Sequence, residues 1–389
     1  MGFLNGIRVV SFTTSVAGPN AARLLAQCGA EVIKIESKHG GMDGFRYFKA
    51  GGDPDIAPRF IESNLNVLSA LINLKDPTGV RLTKELIAKS DVVLDNFRPD
   101  VMNRLGLGPE ELLKMKPELI VARMPGLGLS GPKYWYGSFG STLTAFSGIT
   151  YLWNHPGQPR PIGAQVVYPD YVAAALMPAS VIAALIRRRK TGKGAILELA
   201  QAEATAYVLG GSLLEAAVNN REPAPLGNDW PYAAPHNCYP CLGDDRWCVI
   251  AVETDEQWRA LAGFLEQPDL AHDARYATLL ARRRNRAELD QLISGWTSQH
   301  EAHSIMHQLQ QAGVPCGVVQ SGEDLFHDLH LRERGFISGV EHPTLGHIPL
   351  PTVPVHMEDG AIDPPRCSDM LGAHTEYVVC DLLGYGREQ

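Results

Sequence analysis

The sequence predicts an α/β fold, with a parallel, doubly wound sheet in the first part of the chain and a smaller unit after it. Two observations predict this. Short β-branched runs alternate with helical patterns of about ten to fifteen residues, the spacing of βαβ units with parallel strands. The composition then shifts over residues 219–235 (NNREPAPLGNDWPYAAP), whose prolines and asparagines mark a linker. A length of 389 residues suits two domains, and neither an internal repeat nor a low-complexity tract interrupts the pattern.

In chain order, residues 7–12 (IRVVSF) form the first strand. The turn SVAGP follows, and then a helix to about Cys28, with Pro19 in its first turn and Gly29 as its stop. Residues 31–36 (EVIKIE) are the second strand, and residues 68–74 are apolar and extended. Asp76 and Pro77 open a helix to about Lys89, and residues 91–96 (DVVLDN) and 119–124 (LIVARM) are further strands. From Asp170 to about Lys190 the pattern is helical and apolar on almost every face, which predicts deep burial. A strand over 195–199 and a helix over 203–218 complete this part. Beyond the linker come a strand at 247–252, helices at 255–265, 279–294 and 300–313, a short strand at 316–320, and a final helix from Ala373.

Composition excludes several function classes. Hydrophobic residues are 45% and charged residues 20%, which is a globular balance rather than a disordered one. The net charge is −8, so a nucleic-acid partner is not expected, since phosphate backbones demand an excess of cations. The longest apolar stretch, residues 172–186, contains Pro178 and Ser180 and falls short of the roughly 20 residues that cross a bilayer, so no membrane partner is expected. The opening MGFLNGIRVVSF lacks a charged region before an apolar core, lacks a cleavage site, and has Gly6 where a myristoylation motif wants Ser or Thr. The expected location is the cytoplasm, and seven cysteines fit reduced thiols better than a disulfide framework.

Four motifs compete with simpler readings. SVAGP sits at the end of the first strand and opens a helix, where ligands bind in doubly wound sheets, but it is neither a GxGxxG fingerprint nor a Walker loop. Asp170, in Tyr168-Pro169-Asp170-Tyr171, suits a helix N-cap. The same position keeps a carboxylate ionised beside the helix dipole, where in a dry site it can attack a thioester carbonyl. His236, Cys238 and Cys241 resemble a metal cluster, yet only Cys248 lies nearby as a fourth ligand, so no metal site is assigned. The run Arg187 to Lys190 reads as a cationic helix C-terminus. No histidine occurs between His39 and His155, so a mechanism needing a histidine base from that region lacks one.

Taken together, GIRVVSFTTSVAGPNAARLLAQCGAEVIKIE, LINLKDPTGVRLTKELIAKSDVVLDNFRPDVMNRLGL, PGLGLSGP, PDYVAAALMPASVIAALIRRRKTGKG and LGAHTEYVVCDLLGYGREQ resemble the class III (CaiB/BaiF-type) CoA-transferases over essentially the whole chain. The resemblance implies a Rossmann-like large domain built from both chain ends, a smaller α+β domain, and an intertwined, ring-like homodimer. The expected division is 1–218 for the first part of the large domain, 219–235 for the linker, 236–331 for the small domain and 332–389 for a segment returning to the large domain. Asp170 matches the catalytic aspartate, and Val16, Ala17, Lys38, Ile72, Lys75, Asn96, Phe97 and Arg104 match coenzyme A contacts. Lys38, Lys75 and Arg104 also make sense as counter-charges to phosphates in an acidic chain. The implied substrates are an acyl-CoA and a small carboxylic acid, with coenzyme A passing through the enzyme as substrate and no cofactor tightly bound.

Asn64-Leu65-Asn66-Val67-Leu68 and Asn73 depart from patterns common in the family, and no polyglycine loop is present, which argues against formyl-CoA transfer. PDYVAAAL, Trp230-Pro231-Tyr232 and the Tyr239–Cys241 region look closer to the carnitine CoA-transferase branch. Two alternatives stand beside transfer. One is a 2-methylacyl-CoA racemase of the same fold, which needs two acid/base groups at the α-carbon. The other is a non-catalytic CoA-binding protein. Tyr151, Trp153, His155, Tyr168 and His236 are candidates for lining the acid pocket.

Overall fold

The computed structural model describes residues 2–47, 52–358 and 362–388. Six parallel strands form its main sheet: β1 Arg8–Phe12, β2 Glu31–Glu36, β3 Leu68–Leu71, β4 Val92–Asp95, β5 Ile120–Arg123 and β6 Ala195–Glu198. Their spatial order is β3-β2-β1-β4-β5-β6. That is the order of a dinucleotide-type doubly wound sheet, in which the connections reverse direction between β1 and β4. The register sets Val9 beside both Val32 and Val92, and Val93 beside Val121.

The strands read as continuous apolar runs because both faces are covered. On one face Val9, Val32, Val92, Leu94 and Ile120 pack against α1 (Ala17–Gln27) and the long helix Tyr168–Thr191. On the other, Val10, Phe12, Ile33, Val93 and Val121 pack against Leu86, Ile87, Leu112 and Val378. Helices α2 (Pro58–Ser63), α3 (Pro77–Ala88), α4 (Val101–Arg104), α5 (Pro109–Met115), α6 (Gly140–Phe146) and α7 (Ile149–Leu152) fill the connections. Asp76 caps α3 by accepting from the Thr78 N–H at 2.8 Å, and Pro77 occupies the first helical position.

The long helix, α8 (Tyr168–Thr191), departs from expectation in two ways. It starts at Tyr168, so Val167 takes the N-cap position and Asp170 stands inside the first turn, free of a capping role. It is also not buried all round. Ala173, Ala174, Met177 and Val181 face the core, while Tyr171, Leu176 and Ile186 remain exposed, because the elements packed on it, α1 foremost, leave those positions uncovered. It is long and apolar enough to cross a membrane by length and composition, with half of its apolar window buried in the fold. The helix expected over 203–218 is two helices, α9 (Gln201–Val208) and α10 (Gly210–Asn219), separated at Leu209.

The chain divides into two compact units, Met1–Thr150 with Gly163–Pro223 and Leu329–Gln389, and Tyr151–Ile162 with Ala224–Asp328. The second unit thus takes in Tyr151–Ile162, which the sequence reading leaves in the large domain, and begins inside the expected linker. It contains the antiparallel sheet β7 (His236–Pro240), β8 (Trp247–Ala251) and β9 (Cys316–Val318). Helices α11 (Asp255–Phe264), α12 (Leu279–Arg284), α13 (Arg286–Thr297) and α14 (Ala302–Gln311) surround a core of Trp258, Tyr276, Leu289, Ile293 and Leu309. In the first unit the C-terminal segment binds the β3 edge, where the Ser69 N–H donates to Asp369 and the Leu71 N–H to Thr375. Its last helix is a π-turn over Tyr377–Leu382 rather than an α-helix from Ala373.

Candidate active site

The first unit opens a crevice where β1 and β4 lie side by side and their connections diverge. In such sheets the helix N-termini and strand carboxyl ends face the ligand there. The turn after β1 is held from both sides. The Thr14 N–H donates to Asn96 Oδ1 at 2.9 Å, and Asn96 Nδ2 returns a bond to the Thr14 carbonyl at 2.9 Å. Ser15 adopts a left-handed conformation (φ 66°), and its N–H donates to Asp43 Oδ1 at 3.1 Å. A Cβ at Gly18 would lie 2.6 Å from Thr13 Cβ and 2.8 Å from Asn96 Cγ, so the helix approaches the turn this closely only because residue 18 is glycine.

Asp43 is fixed in turn by buried charges. Lys34 pairs with Asp43 and donates to Asn64 Oδ1 at 2.9 Å, and Arg46 forks onto Glu36 at 3.0–3.2 Å. Lys34, Glu36, Asp43 and Arg46 are all essentially buried, so removing any one of them would strand a charge.

Asp170 faces the same crevice and is only 7% exposed. Burial pushes its carboxyl up to about 6, against the backbone N–H groups of Ala17 and of Asp170 itself, which favour the anion. Among the described residues no hydrogen-bond donor meets its Oδ2. That oxygen lies against α6, where a Cβ at Gly140 would sit only 2.1 Å from it. Gln201 presents a second orphan. Its Nε2 donates to the Met124 carbonyl at 2.8 Å, which forces the orientation of the amide, and its buried Oε1 has no donor.

These groups share a cavity of about 530 Å³. Thr14, Ser15, Val16, Asn96, Phe97 and Arg98 line it from the strand ends. Tyr134, Tyr136, Ser138, Phe139 and Gly140 line it from the segment before α6, and Arg59, Gln165, Asp170, Tyr171 and Gln201 complete it. Among the described lining residues, Asp170, Arg59 and Arg98 carry the charges, and none is a histidine. A cavity with one buried carboxylate lacking a cationic partner among the described residues is suited to nucleophilic attack on an activated acyl group.

Three comparisons with known proteins identify the family. The profile of CoA-transferase family III matches residues 4–375. The chain belongs to CoA-transferase family III.

A succinyl-CoA–D-citramalate CoA-transferase from Chloroflexus aurantiacus is 33% identical over 383 residues, spanning 98% of this chain and 94% of that protein. A succinate–glutarate CoA-transferase from Agrobacterium fabrum is 30% identical, spanning 97% and 95%. The crystal structure of a CaiB/BaiF family protein from Brucella suis matches with a TM-score of 0.89 at 27% identity, over 98% of this chain and 99% of that one.

In this CoA-transferase the residues singled out from sequence fall into two groups. Val16, Asn96, Phe97 and Asp170 line the cavity, and the Ala17 N–H points at the Asp170 carboxylate. Lys38, Ile72, Lys75 and Arg104 do not line it. Lys38 and Lys75 are exposed on the loops that follow β2 and β3, with the Lys75 ammonium against Gly40. Ile72 is buried in the core, and Arg104 ends α4 exposed. All but Asp170, which α8 carries, and Arg104 follow directly from the carboxyl ends of β1 to β4, so one edge of the sheet carries residues of both groups.

Tyr151, Trp153, His155 and His236 belong to the second unit, and neither they nor Tyr168 line the Asp170 cavity. His155 and His236 line a separate cavity of about 200 Å³ within that unit. Cys241, Cys248 and Cys316 are buried in the second unit, the Cys241 thiol donates to the Tyr239 carbonyl at 3.7 Å, and burial pushes that thiol up to about 12, so it is protonated and inert.

Arg59, Gly140 and Gln201 escaped the sequence reading. The stretch Tyr134-Trp135-Tyr136-Gly137-Ser138-Phe139-Gly140 held the available signal, because aromatics and glycines without helical or strand period mark a shaped loop.

Proposed function

We propose that the enzyme moves coenzyme A from an acyl-CoA to a carboxylic acid through covalent intermediates on Asp170. The observation that carries this is the buried Asp170 carboxylate, with Oδ2 lacking any donor, in the crevice between β1 and β4. Near neutral pH a group titrating at about 6 is mostly ionised, and its burial leaves it poorly solvated and reactive.

In the first step an Asp170 oxygen bonds to the thioester carbonyl carbon and the C–S bond breaks, giving a mixed anhydride and coenzyme A thiolate. The thiolate then attacks the aspartyl carbonyl, releases the donor acid as its carboxylate, and leaves an aspartyl-CoA thioester. The acceptor carboxylate attacks that thioester to form a second anhydride. Return of the thiolate to the acceptor acyl carbon yields the new acyl-CoA and restores Asp170. The order keeps the thioester's free energy on the enzyme instead of losing it to water.

The Val16, Ala17, Asn96 and Phe97 end of the crevice is the proposed seat of the thioester arm. Lys38, Lys75 and Arg104 are the proposed contacts for coenzyme phosphates, since exposed cations on one sheet edge suit that charge. One relative is named for succinyl-CoA with D-citramalate and another for succinate with glutarate. Those names support a diacid substrate over the carnitine-type substrate suggested by Trp230-Pro231-Tyr232. A racemase needs a second acid/base group at the substrate α-carbon, and the described cavity lining supplies one titratable carboxylate and no histidine for that work.

A homodimer is part of the proposal. Tyr207, Val208, Leu213, Leu214 and Val218 on α9 and α10 are all more than half exposed, an apolar surface that a second copy would cover.

The test is chemical. Incubation with an acyl-CoA, followed by hydroxylamine or borohydride, is expected to mark Asp170, and Asp170→Ala is expected to lose both the mark and CoA transfer. Full-rate transfer by Asp170→Ala would sink the assignment. Light scattering of the purified chain tests the dimer.

A further inference from the structure

We infer that Arg59 holds the free carboxylate of a dicarboxylic substrate, which makes the Asp170 cavity selective for diacids and their monothioesters. This rests on the CoA-transferase reading of Asp170.

Among the described residues three charged side chains line the cavity, and two have other work. Asp170 is the nucleophile. Arg98 directly follows Asn96 and Phe97 on the loop after β4, so it sits on the side proposed for the coenzyme, and its Nη2 lies against Gly137. Arg59 is the cation left over. It stands at the start of α2, on a different wall, and no carboxylate of the described residues lies within ion-pair distance of it.

Arg59, Asp170 and Tyr171 line the same cavity, and the Tyr171 hydroxyl lies in the fields of both the Arg59 cation and the neighbouring Asp170 carboxylate. The guanidinium therefore shares the cavity with the reacting carboxylate, yet forms no ion pair with it. A substrate bound with its carbonyl at Asp170 would carry its far end toward Arg59 and Tyr171. A second carboxylate there meets a planar fork of donors, which binds carboxylates in bidentate fashion. A methyl group there would offer the guanidinium no acceptor in exchange for the water it displaces.

The experiment uses the full chain, with succinyl-CoA and butyryl-CoA as donors and succinate, glutarate, butyrate and valerate as acceptors. The wild-type enzyme is expected to prefer each diacid over its monoacid partner in kcat/KM. Arg59→Met is expected to raise KM for diacids roughly 10- to 100-fold while kcat changes little, as loss of uniform binding does. Its KM for butyrate and valerate should stay level or fall, and this retained transfer reports that the variant is folded. Arg59→Lys should recover part of the diacid preference. An unchanged diacid-to-monoacid ratio in Arg59→Met, or no preference in the wild type, overturns the inference while leaving CoA transfer standing. If the wild type transfers CoA to no acid and gives no hydroxylamine-sensitive label, both readings fall together.

Discussion

Asp95 and Asp170 lie at the same edge of the main sheet, 1% and 7% exposed, and burial raises both carboxyls to about 6. Their partners differ. Asp95 faces Arg123 at 3.1 Å and accepts from the Phe97 N–H at 3.3 Å, while Arg123 also donates to the Pro99 carbonyl at 2.9 Å. Asp170 has backbone N–H groups alone, and its Oδ2 has no donor. Burial by itself therefore does not mark the reactive group. A carboxylate whose desolvation is answered by a cation fixes the loop that carries Asn96 and Phe97. One whose desolvation is left unanswered at a cavity wall retains the drive to bond to an electrophile.

The largest expected effect tests that contrast directly. Asp170→Ala should reduce CoA transfer by roughly 10⁴-fold or more, the scale on which loss of a covalent nucleophile acts. It should leave the fold intact, as judged by circular dichroism. Substitution at the other carboxylate should do the reverse. Arg123→Met leaves Asp95 buried without its cation and should cost about 3–5 kcal/mol in urea unfolding. If Arg123→Met is as stable as the parent, the ion pair is not what distinguishes the two sites.

The alternation of apolar runs with helices made the sheet legible, because each strand is buried on both faces and cannot hide its composition. Gly29, Pro19 and Asp76 marked helix boundaries through local chemistry that needs no tertiary context. Asp170 was legible only by resemblance. Its spacing equally suits a cap, and the feature that separates the two roles, an oxygen without a donor, arises from how α6 and α8 meet. Arg59 and Gly140 were illegible for the same reason, since each acquires meaning from a neighbour far along the chain and on another helix. The exposed side of α8 runs against its apolar pattern, because an apolar composition does not say whether a helix is covered by its own chain.

The unanswered burial at Asp170 should also show in stability. The folded-state carboxyl titrates at about 6, above its ordinary value near 3.8, so the folded state holds the proton more tightly than the unfolded chain. Stability from this group is therefore greatest at low pH, is lost as pH rises between about 4 and 6, and stays lost above that. Asp170→Asn removes the charge and should stabilise the protein at pH 8 by up to about 3 kcal/mol, a gain that shrinks toward zero near pH 4. Paired urea titrations at pH 4, 6 and 8 read it. The activity of the parent should fall on the acid side of about pH 6, where the nucleophile is protonated. A stability gain independent of pH would mean that the amide side chain packs better, not that the charge was costly.

The smallest effect isolates position from charge. Gly140 touches Asp170 through its missing side chain, since a Cβ there would stand 2.1 Å from Oδ2 and 2.5 Å from Val167 Cβ. Gly140 adopts an ordinary helical backbone at the start of α6, so alanine imposes no strain of its own there. Gly140→Ala must therefore push the carboxylate, the Val167 backbone, or both, by the few tenths of an ångström to an ångström that catalytic geometry does not forgive. The expected result is a kcat lower by roughly 10- to 100-fold with Asp170 still ionisable and the pH midpoint still near 6. A shifted midpoint with unchanged kcat would mean that the alanine altered desolvation instead, and that the alignment of Oδ2 matters less to the reaction than its lack of a donor.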